Sequence, residues 1–329
     1  MKILVTGANG FLGTHLCQRL LTQGHTVYGL VRTPSKMSLT HANFIMVQGD
    51  LNQPLLPWIN YLPTDLDACI HTAGLVHTYN TEEFFQVNTL GTKILIEALK
   101  VKFSQKLKFI LVSSLAAAGP AKLGEIKDET DLDFPVSVYG RSKKQAEEML
   151  RTLAPKQWSS SIVRPPMIIG PGDMAVLDVF KMVKDGFILL PGKNAANKEY
   201  SFVCVFDLVE TITKLVESDL SLLIYSAHES IIKFQQLIEE IKKQLKRKWI
   251  VYLPLPLFMI RGLAWILSLI HKIIPHQLRL TPDKIYELEA EAWTCNSKLS
   301  KTTLNQIYQY DLKQTIAVTL ADYQKRKWL

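Results

Sequence analysis

The 329-residue sequence predicts an α/β fold: a doubly wound parallel sheet with a smaller, mostly helical C-terminal lobe. Three observations predict it. Short β-branched runs alternate with longer helical patterns through residue 165, the signature of successive βαβ units. A glycine-rich turn lies between the first run and the first helical pattern. The composition, 47% hydrophobic and 21% charged, is that of a globular chain, and the length suits two domains or one large domain with an appended lobe.

In chain order, the expected strands are Lys2 to Thr6, Thr26 to Val31, Asn43 to Val47, Asp67 to Thr72, Leu107 to Ser113 and Ser160 to Arg164. Helical patterns between them cover about 11–23, 82–101 and 136–153. After Arg164 the order loosens: Pro165, Pro166, Gly170, Pro171 and Gly172 mark loops, and helices predominate to the C-terminus. One late apolar run, Leu222 to Ser226, reads as a strand returning to the first sheet. The expected division is a sheet domain over 1–165, completed by that late strand, and a second lobe over 166–329 interleaved with it.

Cys17, Cys69, Cys204 and Cys295 stand far apart, with no CxxC pair and no Cys/His cluster at zinc spacing. No metal site is expected, and free thiols suit a reducing cytoplasm. Met1 leads straight into a strand, so no signal peptide is expected. The net charge of +8 admits nucleic acid, an anionic membrane or a phosphorylated ligand as partner. It is concentrated: Lys233 to Lys284 holds ten Lys or Arg against three Asp or Glu. That block, from Lys242, Lys243, Lys246, Arg247 and Lys248 to Arg279, surrounds the apolar Leu255 to Ile274. Arg261, His271 and Lys272 interrupt this segment, which reads as an amphipathic or buried helix rather than a membrane span. A lid over a substrate and peripheral contact of 233–284 with acidic membrane both stay open. Nucleic acid is not needed to explain the charge.

The strongest motif is Thr6-Gly7-Ala8-Asn9-Gly10-Phe11-Leu12-Gly13, directly after the first strand and opening a helix. Gly7 permits the tight turn, Gly10 lets a pyrophosphate approach the backbone, and Gly13 allows close packing. The unpaired N–H groups at the helix start, among Asn9, Gly10, Phe11, Leu12 and Gly13, then meet the phosphates. This points to a Rossmann-type dinucleotide site. The second strand ends in Arg32-Thr33-Pro34-Ser35-Lys36, without the acid that receives a ribose 2′-hydroxyl in NAD-preferring sites. Arg32 offers a planar fork of donors to a 2′-phosphate and Lys36 a second charge, so NADP(H) is favoured; the other reading is two solvated loop charges.

Tyr139-Gly140-Arg141-Ser142-Lys143 is a YxxxK spacing in a helical stretch, which puts phenol and ammonium on one face. Lowering a tyrosine pKa by about 3 units takes roughly 4 kcal/mol. A cation about 4 Å away at an effective dielectric near 20 supplies a comparable amount. The pair therefore suits general acid–base work.

With its GxxGxxG spacing, the YxxxK pair and the Ser113-Ser114 that precedes it, the chain resembles the extended branch of the short-chain dehydrogenase/reductases, the NAD(P)-dependent epimerase/dehydratase family. In motif it is most similar to dihydroflavonol reductases and 3β-hydroxysteroid dehydrogenases. The resemblance implies Ser114 as the catalytic serine holding the substrate oxygen, Tyr139 as proton donor or acceptor, Lys143 on the nicotinamide ribose, and Asn88 in support of the proton network. It also implies Asp50 and Leu51 at the adenine, Ala73 and Gly74 of His71-Thr72-Ala73-Gly74 at the central ribose and phosphate, and Ser113, Pro165 and Ile168 near the nicotinamide. Asp207 is expected to be structural. A homodimer through helices 82–101 and 136–153 is the implied assembly.

Departures narrow the reaction. Dehydratases of this family place an Asp-Glu pair after the catalytic hydroxyl, where this chain has Leu115 and Ala116. Many nucleotide-sugar epimerases have a diphosphate-clamping arginine where this chain has Tyr200, with Lys193 or Lys198 as imperfect substitutes. The expectation is an NADP(H)-dependent reductase or dehydrogenase acting on a small-molecule carbonyl or alcohol. A nucleotide-sugar 4-epimerase and a non-enzymatic NADP(H)-binding scaffold are the alternatives.

Overall fold

The six apolar runs of the first half form strands whose ends all fall within one residue of expectation: β1 (Lys2–Thr6), β2 (Thr26–Val31), β3 (Phe44–Gln48), β4 (Ala68–His71), β5 (Lys108–Val112) and β6 (Ser159–Arg164). The computed structural model describes residues 1–53, 57–103, 105–192, 194–274 and 280–329. The late run becomes the strand Leu223–Tyr225, paired in parallel with β6. The seven strands lie in the order Leu223–Tyr225, β6, β5, β4, β1, β2, β3. The direction in which successive strands are added reverses between β1 and β4, whose ends meet at Thr6 and His71. A crevice at the carboxyl ends of such strands is where this architecture binds ligands.

Helices cover both faces of the sheet. On one side α1 (Phe11–Thr22) and the helix Val205–Glu217 bury Leu16, Leu20, Leu208 and Ile212 against β1 and β4. On the other, Gly91–Lys102 and Val138–Leu153 bury Leu95, Leu99, Ala146 and Leu150. Val205–Glu217 comes from the second half, so the chain crosses back to the first layer before Leu223–Tyr225 joins the sheet. A separate core of Phe180, Ile188, Ile238, Ile316 and Tyr323 fills the second lobe.

Two local features differ from the sequence reading, and a third agrees with it. The helix expected at 82–101 runs from Glu82 to Lys102 but widens to a π-helix over Phe85–Leu90, around Asn88. The second half contains short parallel strand pairs, Met167–Ile169 with Phe202–Cys204 and Phe187–Pro191 with Val251–Leu255. Strands this short lack a readable period, and Pro254 argues against one. The Leu255 to Ile274 segment folds as a helix, as read, over Leu257–Ile273, of which only Ile260 and Ala264 are buried. Among the described residues no helix is long and apolar enough to cross a membrane. Arg279, read as the end of the basic block, lies outside the described residues.

Candidate active site

The crevice at the β1/β4 reversal is lined by Gly7, Asn9, Gly10, Arg32, Asp50, Leu51, Ala73 and Gly74, all expected, by Thr6 and Thr72 of the same two motifs, and by Asn52 and Val87, which were not singled out. The glycine turn is compressed until nothing larger fits. Gly7 has a φ of +67°, and a Cβ on Gly13 would stand 2.1 Å from the Gly7 carbonyl oxygen. Among the described residues no side chain caps α1, so its first N–H groups remain as donors toward an anion. These features fit the pyrophosphate of a dinucleotide.

Arg32 lines this crevice at the end of β2, whereas Lys36 is exposed on the turn beyond and does not. Asp50 accepts from the Asn52 backbone N–H at 3.0 Å, so it shapes its own turn while facing the crevice. Phe11, Leu12, Pro165 and Ile168 do not line it. Leu12 is buried in the first core and Phe11 packs edge-on to His15. The Pro165 carbonyl accepts from Leu115 N–H at 2.9 Å, and Ile168 pairs with Val203. Ser113, expected at the cofactor, spends its hydroxyl on the buried carboxylate of Glu147 at 2.5 Å.

His71 holds the crevice together. Burial and the nearby Lys143 push its imidazole down to about 3, so the ring is neutral. Thr92 donates its hydroxyl proton to the Asn88 carbonyl at 2.6 Å and therefore accepts from His71 Nε2 at 3.0 Å. His71 Nδ1 then accepts from the Thr6 hydroxyl at 2.7 Å, whose oxygen accepts from Ala73 N–H at 3.2 Å. This bonding pattern fixes the tautomer and ties β1, β4, the Ala73 loop and the π-helix into one unit. Asn88 completes it. Its side chain accepts from Leu75 N–H at 2.8 Å and donates to the Leu75 carbonyl at 3.0 Å and to Ser142 Oγ at 2.9 Å.

Ser114, Tyr139 and Lys143, the residues expected to react, converge above this unit. Ser114 ends the strand segment and caps the turn Leu115–Ala118 by accepting from Ala116 N–H at 3.1 Å. Val138–Leu153 packs directly on that turn, since a Cβ on Gly140 would stand 2.4 Å from the Ala116 carbonyl oxygen. That approach sets Tyr139 beside Ser114. Burial pushes the phenol up to about 12, against a hydrogen bond with Ser114 that lowers it and the Glu287 charge that raises it further. The expected lowering of the phenol by Lys143 is not what the protein alone provides. Lys143 instead donates to the Val112 carbonyl at 2.7 Å, and burial pushes its ammonium down to about 8 despite Glu147.

Two positioning residues come from far along the chain. Asp283 accepts from the backbone N–H groups of Val138 at 2.7 Å and Tyr139 at 3.2 Å, capping the Val138–Leu153 helix from outside it. Glu287 accepts from the Ser137 hydroxyl at 2.7 Å. Thr281-Pro282-Asp283 is legible as the start of a helix, but nothing local says that Asp283 serves another one. Asp207 is structural, as expected, yet it receives the N–H groups of Gln309 and Tyr310 rather than capping its own helix.

Residues 3–223 match the model of the NAD dependent epimerase/dehydratase family. The chain belongs to this family. The family is of the extended short-chain dehydrogenase/reductase type. Among relatives of this family member, a ceramide reductase of Caulobacter vibrioides is 35% identical over 181 residues, 55% of this chain and 50% of that protein. The N-acetyl-alpha-D-glucosaminyl-diphospho-ditrans,octacis-undecaprenol 4-epimerase of Escherichia coli O157:H7 is 27% identical over 269 residues, 79% of this chain and 78% of that one. The matched part thus spans only half the length of the reductase. The Thermus thermophilus UDP-glucose 4-epimerase, solved with NAD, superposes with a TM-score of 0.77 over 98% of this chain and 99% of its own at 19% identity, a likeness of fold.

Proposed function

We propose that this enzyme reduces a carbonyl on a bulky, apolar small molecule with NADPH, through Ser114, Tyr139 and Lys143. The observation that carries the reading is the packing of Gly140 on Ala116, which joins the Ser114 turn to the Tyr139 helix. When bound, the reduced nicotinamide supplies hydride. The hydroxyls of Ser114 and Tyr139 hold the carbonyl oxygen, and Tyr139 gives it the proton as charge develops there. A phenol pushed up to about 12 is protonated throughout the neutral range, which suits the reductive direction. Lys143, anchored on Val112, holds the nicotinamide ribose, and Asn88 fixes the loop and helix on either side of it.

For the cofactor, Arg32 in the crevice and the absence of an acid at the end of β2 favour the 2′-phosphate of NADPH, now on Arg32 alone rather than on Arg32 with Lys36. For the substrate, two relatives are named for lipid-borne molecules, a ceramide and an undecaprenol-linked sugar. The second reading, a 4-epimerase, is favoured by the longer match to the undecaprenol-sugar enzyme. Against it, Tyr200 is half-buried where a diphosphate clamp would stand, and Lys198 is spent on the Leu288 carbonyl. Lys193, the other substitute, lies outside the described residues.

Thermal-shift titration separates the cofactors. NADPH is expected to bind more tightly than NADH, and Arg32→Ala to weaken NADPH by about tenfold to a hundredfold, the worth of a charged hydrogen-bond pair. NADH binding should scarcely change. Tighter binding of NADH by the wild type would overturn the assignment of Arg32.

A further inference from the structure

The helix Leu257–Ile273 is apolar nearly all round, a composition normally found on a helix enclosed by protein or lipid. Here the protein encloses one stripe. Ile260 and Ala264 pack on Ile285, while Phe258, Trp265 and Ile273 are 73%, 64% and 82% exposed. At 100° per residue, Phe258, Trp265, Leu269 and Ile273 fall along one line of the helix, with Met259, Ile266 and Ile270 beside it, all exposed. Lys272 flanks that face, as does Arg261, whose guanidinium is paired with Glu289. The segment leading into the helix continues the pattern: Lys246, Arg247 and Lys248 precede the exposed Trp249, with the Arg247 guanidinium 4.9 Å from the indole centroid. Val251 and Leu253 follow, also exposed. An apolar face of this extent bordered by cations and an interfacial tryptophan is complementary to an anionic bilayer, in which apolar side chains enter the acyl region and Lys or Arg meet headgroups.

We propose that Leu257–Ile273 docks this enzyme on an anionic lipid surface. The helix has no length to span; it lies in the interface. Its protein-facing side reaches the active site by short steps. Ile285, under Ile260 and Ala264, is two residues from Asp283, the cap of the Tyr139 helix. His271 stacks on Tyr79 with ring centroids 4.3 Å apart, on the loop that continues from Gly74 in the cofactor crevice. Docking therefore brings the rim of the active site to the membrane surface, whichever carbonyl the enzyme reduces.

The test is co-sedimentation of the full chain with phosphatidylcholine vesicles with and without phosphatidylglycerol. Binding is expected to the phosphatidylglycerol vesicles at low salt and to weaken at high salt. Phe258→Ser/Trp265→Ser/Leu269→Ser should abolish it, while Lys246→Gln/Lys248→Gln should weaken it by about fivefold per charge removed. Both variants alter exposed side chains, and their NADPH-induced thermal shifts should match the wild type. Absence of binding to anionic vesicles at low salt would overturn the proposal, as would full binding by the triple variant. A triple variant that turns a dimer into a monomer, with no vesicle binding by the parent, would instead assign the face to a second copy of the chain.

Discussion

Tyr139→Phe is expected to lower kcat for carbonyl reduction by about 10²- to 10⁴-fold, the usual contribution of a positioned general acid. The substitution keeps the ring, which packs at 5.7 Å against that of the buried Phe84, and removes only the hydroxyl. Cofactor affinity should stay at the wild-type value, because the crevice of Gly7, Gly10, Arg32 and Ala73 does not include the phenol. The wild-type pH profile follows from the same groups. The phenol, pushed up to about 12, keeps its proton, while Lys143, pushed down to about 8, begins to lose its charge as pH rises through that value. Reduction is therefore expected to slow above about pH 8, with Lys143 setting the limb. Steady-state kinetics of both proteins across pH check this. An unchanged kcat in Tyr139→Phe would remove Tyr139 from the proton path.

The largest expected effect on stability comes from Arg164. Its guanidinium is buried and bonds Glu147 bidentately at 2.8 and 2.6 Å and Asp133 at 2.7 and 2.8 Å. Glu147 is fully buried, and Asp133 also accepts from Lys144 at 2.5 Å. Arg164→Met leaves the Glu147 carboxylate in the core without its hydrogen-bonded cation, with only Arg151 3.9 Å away, at a cost of about 3–5 kcal/mol. Because Glu147 lies one turn beyond Lys143 on the Tyr139 helix, the loss is expected to loosen the helix against β6 and to weaken activity with stability. Arg164→Met/Glu147→Leu should recover most of the loss, since a well-packed apolar pair replaces a buried ion pair at little cost. Urea unfolding of the three proteins reads the difference. A single variant as stable as the wild type would contradict the assignment.

The first half of the fold was legible because each strand is a short apolar run closed by a turn, and parallel strands buried on both faces give continuous runs such as Phe109-Ile110-Leu111-Val112. The glycine turn and Arg32 were legible because they follow strand ends, where the topology gathers them, whereas Asp50 and Ala73-Gly74 were expected from the family resemblance. The Tyr139 and Lys143 pair was legible through spacing, and Ser114 only through the family resemblance. What the sequence hid is long-range. Asp283 caps the Tyr139 helix across 145 residues, and Glu147 draws Ser113 away from the cofactor. Neither bond has a local pattern. His71 was visible only as part of a motif, because its role depends on Thr6 and Thr92 meeting it from two other elements. The apolar character of Leu257–Ile273 was plain, whereas which side the protein leaves open depended on where Ile285 packs.

The most direct test of the central claim follows the hydride. The enzyme is incubated with NADPH deuterated at the transferred position and a panel of apolar ketones and aldehydes, and in parallel with NADP and a panel of nucleotide sugars, and product and cofactor are measured by mass spectrometry. The reductase reading predicts deuterium on the carbinol carbon of the product, one NADP formed per alcohol, and loss of both in Tyr139→Phe. Inversion of a sugar hydroxyl without net consumption of cofactor would contradict it and establish the epimerase instead.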